Sequence, residues 1–422
     1  MNRSLEQWLT FAESVHPRSI EMGLTRVRAV GERLGLIPWK IPSIIVAGTN
    51  GKGSVTIAAQ EILLADGWRT GAGFSPHLHR FNERIRIEHE EVDDALLVRG
   101  FAAVDAARGD IQLTYFEFAT VVSLWVWRET AMECTVLEIG LGGRLDAFNV
   151  VDAEVAVVTS IGLDHQELLG DSRELIGVEK AGVFRRHQRV VLGRDMPDSV
   201  LDATRALTCQ TIVSGRDIHV DDREDAMLVV SSKALPWTLS GLTDLVMPTP
   251  LAPHNVALAV VAAAALKPVR PEAVIRGVGI ANLPGRMEHV YFRERLFVVD
   301  IAHNPDGAAF LLRRLEGLSL SPEVAILGNL RDKDSAGIAA PLAGVVRRWI
   351  AVPTTGARGQ EAAKTRDGIV RAGASRIDCC EVLATAIDLA VQQSGKGGVI
   401  LIFGSFAVVA AAREALGLGE AR

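Results

Sequence analysis

The sequence predicts an α/β protein built from two parallel-sheet domains, and three observations predict it. Short runs of branched apolar residues recur at 44–46, 134–139, 155–160, 296–301, 324–327 and 399–403, each the length of a buried strand. Helical patterns separate these runs, the alternation expected of βα units. The chain is 422 residues long, more than a single core usually sustains. A structure-breaking Pro-Gly pair in Leu283-Pro284-Gly285-Arg286-Met287-Glu288 then marks a hinge at 283–288, between domains at 1–282 and 289–422.

Composition excludes several function classes. Hydrophobic residues are 48% and charged residues 23%, ordinary for a globular protein. Net charge is -6 with no Lys/Arg block, which argues against a nucleic-acid partner. The opening M-N-R-S-L-E-Q-W-L is too charged for a signal peptide, and the apolar stretch Val256 to Leu266 is too short to span a bilayer. Cys134, Cys209, Cys379 and Cys380 show no C-x-x-C spacing, so reduced thiols and a cytoplasmic location are expected.

In chain order, Leu5 to Phe11 has the spacing of an amphipathic helix, and Arg18 to Leu34 follows with apolar residues at helical intervals. Gly23 interrupts the second pattern, so Glu21-Met22-Gly23-Leu24 reads either as a helix start or as a binding wall. Next comes I-I-V-A-G-T-N-G-K-G-S at 44–54: a buried strand, a glycine turn, Lys52, then a helix from Val55. Glycine lets backbone N–H groups face inward, the helix N-terminus carries partial positive charge, and Lys52 adds a full one, which together make a phosphate cradle. The run departs from G-x-x-x-x-G-K-[ST] at Val46 and Gly53.

Thr70 to Phe74 reads as a short strand and Ser75-Pro76-His77-Leu78 as the loop at its C-terminal end, where α/β sheets bind ligands. Ser75 there is a loop serine or a magnesium ligand. Val92 to Ala107 reads as a helix. The aromatics of Leu113-Thr114-Tyr115-Phe116-Glu117-Phe118 suit a core, although Thr114 and Phe116 also suit a flat heteroaromatic ligand. Glu138 closes an apolar strand, a costly place for a carboxylate unless it meets a cation. Gly140-Leu141-Gly142-Gly143-Arg144-Leu145-Asp146 follows it and is not a dinucleotide fingerprint. Val155 to Ser160 leads to Asp164 and His165. Ser54, Ser75, Glu138 and His165 therefore share one crevice if their strands are parallel neighbours.

Glu174 to Phe184 reads as a helix in which Lys180 alone would be a surface lysine. Val190 to Val230 reads as short strands and loops. Asn255 opens an alanine-rich helix to Leu266, with capping the simpler role. Beyond the hinge, Ala302-His303-Asn304-Pro305 turns from a strand into a helix, and Trp349 to Val352 adds another strand. Gly395-Lys396-Gly397-Gly398 precedes its strand, so it reads as a flexible turn.

The ordered set G-L-T-R-V, G-T-N-G-K-G-S, S-P-H-L, N-E-R-I, L-T-Y-F-E, L-E-I-G-L-G-G-R-L-D-A, T-S-I-G-L-D-H, E-K-A-G, L-P-G-R-M-E, D-I-A-H-N-P and G-S-F resembles the folate branch of the Mur ligase superfamily, the bifunctional dihydrofolate synthase/folylpolyglutamate synthases, over nearly the whole length. The resemblance implies an N-terminal P-loop ATPase-like domain with a mostly parallel sheet and a smaller C-terminal Rossmann-like glutamate ligase domain. It implies ATP-dependent amide formation: ATP phosphorylates a carboxylate of dihydropteroate or of the glutamate tail of a tetrahydrofolate polyglutamate, and L-glutamate attacks the acyl phosphate.

It further implies ATP contacts at Thr49, Asn50, Gly51, Lys52, Gly53, Ser54, Asn255, Arg286 and Asp300, from both domains, with closure assembling the site. Ser75 and Glu138 match ligands of one Mg2+, and Glu138 with His165 a second. Lys180 matches a carbamylated lysine (N6-carboxylysine), an inversion of charge beside the metal. Lys52, Lys180, His165 and His303 match catalytic positions, His303 near the glutamate site. The pterin set is Glu21, Met22, Gly23, Leu24, Thr114, Tyr115, Phe116, Glu117, Leu145, Asp146 and Ala147. Phe148 stands where many relatives carry threonine. Monomers are usual in the family. A cell-wall Mur ligase would carry a further N-terminal domain, and an ATP-gated binding module would not need Glu138, His165 and Lys180 together.

Overall fold

The structure is a computed structural model that describes residues 3–18, 20–221, 227–229, 245–246, 249 and 251–419. The chain divides into two compact units, Met1–Asn282 and Leu283–Arg422. No helix among the described residues is long and apolar enough to cross a membrane.

The first unit is organised on an eight-stranded sheet: β1 (Ser43–Ala47), β2 (Thr70–Gly73), β3 (Ile85–Ile87), β4 (Glu90–Glu91), β5 (Cys134–Glu138), β6 (Val155–Val158), β7 (Arg189–Leu192) and β8 (Gln210–Val213). Their order across the sheet is β4-β3-β2-β5-β1-β6-β7-β8. From β2 to β8 every pairing is parallel; β3 and β4 run antiparallel at one edge. The central strands β1, β5 and β6 are buried throughout, and so read as unbroken apolar runs rather than alternating ones. From β1 the chain crosses to β2 on one side, and from β6 it moves to β7 on the other. The adjacent ends of β1 and β6 are thus a topological switch point, where α/β sheets bind ligands.

Helices α1 (Leu5–Val15), α2 (Thr25–Arg33), α4 (Asp94–Arg108) and α5 (Tyr115–Glu129) contribute Trp8, Val27, Phe101 and Phe118 to one core that also takes in Leu137 of β5 and Val158 of β6. Helix α3 (Lys52–Ala65), between β1 and β2, is buried from Gly53 to Leu63. Helices α6 (Gln166–Leu169), α7 (Arg173–Ala181) and α8 (Asp198–Ala206) precede α9 (Pro253–Leu266) and α10 (Pro271–Ile280). The latter two pack on α3; a Cβ on Gly277 of α10 would come within 2.5 Å of Ile62 Cα, so helix backbones approach closely there.

Two regions differ from expectation. The helix expected over Arg18 to Leu34 begins only at Thr25, with Leu24 at its N-cap. The stretch expected to hold only strands and loops between Val190 and Val230 contains helix α8. Val230 lies outside the described residues. Strands β9 (His219–Asp221), β10 (Met227–Val229) and β11 (Leu245–Val246) form a small antiparallel sheet.

The second unit has a six-stranded sheet: β12 (Glu288–Phe292), β13 (Arg295–Asp300), β14 (Pro322–Leu327), β15 (Arg348–Ala351), β16 (Ile377–Cys379) and β17 (Val399–Phe403), ordered β12-β13-β17-β14-β15-β16. Only β12 is antiparallel to its neighbour. Helices α11 (Pro305–Gly317), α12 (Ser335–Ala339), α13 (Ala362–Arg371) and α14 (Leu383–Gln393) connect the strands from β13 to β17, and α15 (Phe406–Ala415) follows the last.

Candidate active site

Strands β2, β5, β1 and β6 lie side by side and parallel, so their C-terminal ends share one edge. Register aligns Val46 with Glu138, Ala47 with Val158, and Gly73 with Leu137. Glu138 ends β5, and the segments leaving the other three strands carry Gly48–Ser54, Ser75 and Thr159–His165.

The glycine turn is held in shape by the end of β6. Thr49 N donates to Ser160 O (2.8 Å), and Asn50 N donates to Ser160 Oγ (3.0 Å). Thr159 Oγ1 and Ser160 Oγ donate to Asn50 O at 2.6 and 3.1 Å. Thr49 Oγ1 donates to Gly162 O and accepts from Gly162 N. A Cβ on Gly48, at φ +146, would sit 1.9 Å from Thr159 Oγ1, so only glycine fits. Gly51, at φ +88, caps α3 and faces Asn255, whose Oδ1 lies 2.7 Å from where its Cβ would be. Asn255 therefore does not cap its own helix: the N-cap of α9 is Ala252, and the Asn255 side chain reaches the glycine turn instead.

Two lysines converge on Gly48. Lys52 Nζ donates to Gly48 O (3.1 Å) and Thr49 O (3.2 Å). Lys180, buried in the last turn of α7, donates to the same Gly48 O at 2.9 Å. Burial, reinforced by the Lys52 charge, lowers the Lys180 pKa to about 7, with Asp164 and Asp146 opposing. The E-K-A-G stretch is also packed against the glycine-rich stretch after β5. A Cβ on Gly143 would meet Glu179 O at 2.7 Å, Arg144 N donates to Glu179 O, and the Arg144–Glu179 ion pair closes at 2.8 Å.

Glu138, buried at the end of β5, accepts from Ser75 N at 3.3 Å. Ser75 Oγ is buried and has no hydrogen-bond partner among the described residues. His165 stands in the left-handed region at φ 51, its Nε2 4.0 Å from Asp164 Oδ1. Among the described residues no three His, Cys, Asp or Glu side chains cluster to hold a metal alone. A hydroxyl and a carboxylate still suit a hard divalent cation, which keeps waters and takes one or two carboxylates beside substrate phosphates.

Three stretches meet beside this edge. Arg26 Nη1 donates to Glu21 Oε1 (2.8 Å), its Nη2 to Glu21 O (2.7 Å), and its Nε to the buried Glu117. Thr114 and Glu117 form a capping box that starts α5. A Cβ on Gly140 would lie 2.6 Å from the Phe116 ring, and one on Gly142 3.5 Å from Met22 Cε. Tyr115 and Leu145 are half-buried, Ala147 buried. Asp146 is committed to backbone: it accepts from Gly140 N, Leu141 N and Phe148 N, while burial pushes its carboxyl up to about 6. Phe148 is buried between Phe116 and Trp127, at 6.0 and 6.2 Å between ring centroids.

In the second unit, register pairs Asp300 with Phe403. Asp300 accepts from Met287 N and Ala302 N, and burial raises its pKa against the neighbouring Arg286. The Arg286 guanidinium lies 5.6 Å from the Phe406 ring, and the His303 ring 6.2 Å from it. Sequence reasoning missed Thr159 and Ser160 as loop supports and Arg26 as the tie between Glu21 and Glu117; the motifs T-S-I-G and G-L-T-R contained them.

Comparison with known proteins gives three results. Residues 285–406 match the family model "Mur ligase, glutamate ligase domain". The chain is 37% identical over 421 residues to the dihydrofolate synthase/folylpolyglutamate synthase of Escherichia coli, covering 98% of this chain and 95% of that one. It is 35% identical to the Haemophilus influenzae protein of the same name, covering 96% of each. Its fold matches the structure of E. coli FolC in complex with DHPP and ADP (TM-score 0.90, 36% identity, 99% and 98% coverage). It also matches the bifunctional folylpolyglutamate synthase/dihydrofolate synthase of Yersinia pestis complexed with AMPPNP and Mn ion (TM-score 0.89, 37% identity, 98% coverage of each).

Proposed function

The chain belongs to the dihydrofolate synthase/folylpolyglutamate synthase family of Mur-type ligases, and on that premise we propose how its residues divide the work. It is an ATP-dependent ligase that joins L-glutamate to a pteroate- or folate-type carboxylate, with ATP and a divalent cation as cofactors. The adjacency of four parallel strand ends carries the residue assignments.

Gly48–Ser54 and the N-terminus of α3 hold the triphosphate, with Lys52 supplying positive charge. Ser75 and Glu138 hold one cation, and Glu138 with His165 a second. The orphaned, buried Ser75 hydroxyl beside Glu138 supports this. When bound, the cation offsets charge as the phosphoryl group passes between two anions. A carboxylate is a poor electrophile; its oxygen takes the γ-phosphoryl group, ADP leaves, and the glutamate amine then displaces phosphate from the acyl carbon to give the amide.

Lys180 is assigned to N6-carboxylation. With a pKa of about 7 much of its amine is uncharged at neutral pH, the form that adds CO2 with loss of a proton. The product would put an anion where two lysine amines now share one carbonyl. Asn255, Arg286 and Asp300 are assigned to the nucleotide and His303 to glutamate. The Glu21–Leu24 segment, Thr114–Glu117 and Leu145–Ala147 are assigned to the pterin. We place the reaction in the cytoplasm, carried by a monomer that also extends polyglutamate tails.

The test is direct. Incubated with ATP, magnesium, glutamate and either dihydropteroate or tetrahydrofolate, the protein adds one glutamyl residue to the acceptor, read by mass. No gain on either acceptor would overturn the reading.

A further inference from the structure

The S-P-H-L and N-E-R-I stretches hold a cation that the assignments above do not employ. Arg84 ends the 3₁₀ turn Phe81–Arg84 ahead of β3, and its carbonyl accepts from Phe74 N at 2.9 Å. Its backbone is thus pinned beside the segment carrying Ser75. The side chain turns inward. The guanidinium lies 5.7 Å from the Tyr115 ring and 6.0 Å from the Phe81 ring, and Nε donates to His77 Nδ1 at 2.7 Å.

Several other partly buried arginines of the described chain are paired with acids, though Arg295 is held by Ser394 and backbone carbonyls instead. Arg26 reaches Glu21 and Glu117, Arg86 reaches Glu61, and Arg413 reaches Glu288. Arg84 differs. Among the described residues its two terminal amino groups donate to no acceptor, and no carboxylate closes to ion-pair distance. Glu83, its chain neighbour, is occupied by the backbone N–H groups of Leu78, His79 and Arg80. Burial lowers the Arg84 pKa, with Tyr115 and Glu138 acting in opposition, so both groups are within electrostatic reach. A guanidinium stays charged in proteins, and a charge withdrawn from water without a counter-ion is costly. Such a cost is offset when a ligand brings the anion.

Position identifies that anion. Arg84 is within electrostatic reach of Glu138, which is joined to Ser75, and lies 5.7 Å from the ring of Tyr115 at the start of α5. On the reading above Glu138 and Ser75 mark where phosphoryl transfer occurs and Tyr115 marks the pterin pocket, so the acceptor's reacting carboxylate comes to the neighbourhood of Arg84. We propose that Arg84 binds the acceptor's reacting carboxylate through its two free amino groups, with His77 as the positioning residue that fixes the fork through Nε. This rests on the functional reading above. A planar fork matches a carboxylate with two parallel N–H···O bonds, and it offsets the repulsion between that carboxylate and the incoming triphosphate.

The experiment compares two ligands on three proteins. Dihydropteroate and its decarboxylated analogue, which lacks only the acid, are titrated into the wild type, R84Q and R84K. R84Q is expected to bind dihydropteroate roughly 10- to 100-fold more weakly while its affinity for the analogue holds, and R84K falls between. Equal loss for both ligands, or no loss for either, overturns the proposal. Titration with Mg·ATP on the same variants is expected to be unchanged and reports an intact glycine turn. A wild type that binds neither pterin ligand defeats the parent reading, an outcome distinct from a wild type that binds both and a variant that does not discriminate.

Discussion

Two stretches of this chain set a lysine among glycines, and the fold uses them in opposite ways. Gly51-Lys52-Gly53 follows β1 and opens α3. Gly395-Lys396-Gly397-Gly398 precedes β17. In the second, the amides are already spoken for: Gly395 N donates to Glu323 Oε2, Gly397 N to Glu294 O, and Gly398 N to Gly395 O. Lys396 is 79% exposed and pairs with Glu294 at 3.1 Å. In the first, Lys52 is half-buried over the turn, and the turn opens a helix, whose first N–H groups lie ahead of the intrahelical hydrogen-bond ladder. A glycine-lysine signature thus takes its meaning from what it leads into: a helix N-terminus presents donors, whereas a strand entry spends them.

Substitutions can break that contrast. Lys52→Ala is expected to lower ATP-dependent glutamate addition by at least about 10³-fold with the fold retained, measured by ADP release and circular dichroism. Turnover within a few-fold of wild type would erase the distinction between the two lysines. Lys180→Ala should cost roughly 10²-fold, in part recovered by added short carboxylates; full activity without them excludes an acidic role for that position. Asn255→Ala sharpens the comparison, because the side chain against the first turn is a neutral amide, whereas the one against the second is the carboxylate of Glu323. The KM for ATP should rise about 10-fold, the cost of one hydrogen bond to a charged group, with little change in KM for the acceptor. Lys396→Ala should change neither activity nor Tm measurably, as expected of an exposed ion pair. A loss there comparable to Lys52→Ala would mean that strand entry is no bar to function.

The fold was legible where one local signal sufficed. Apolar runs at Ile44, Val136 and Val155 announce buried parallel strands because both faces of the sheet are covered. Strands β3 and β4 of the first sheet and the edge strands β12 and β16 of the second are not among the expected strands; they are partly or wholly exposed, so their sequence carries no such run. The overlong helix expectation from Arg18 failed for a non-local reason. Arg26 holds Glu21 by its carbonyl and carboxylate while gripping Glu117, 91 residues away, and residues 20–23 ahead of α2 carry no helix. Asn255 misled in the same manner: local logic offers a cap, whereas its side chain answers to Gly51. Ser75 and Glu138 were readable as candidates from their positions after strands, but their direct contact depends on the register of β2 against β5. Arg84 lay in plain view inside a quoted motif. What sets it apart is which acids do not approach it, a property that only three dimensions disclose.

The anchoring of the glycine turn by Thr159 and Ser160 has a consequence for engineering. The turn is not a portable cassette. Transplanting residues 48–54 into another α/β scaffold would deliver the glycines and the lysine but not the two hydroxyls that clasp Asn50 O from the adjacent strand. A graft that keeps the turn's shape must carry the T-S-I-G segment as well, and any natural recombination that separates β1 from β6 would leave the glycine turn without its second half.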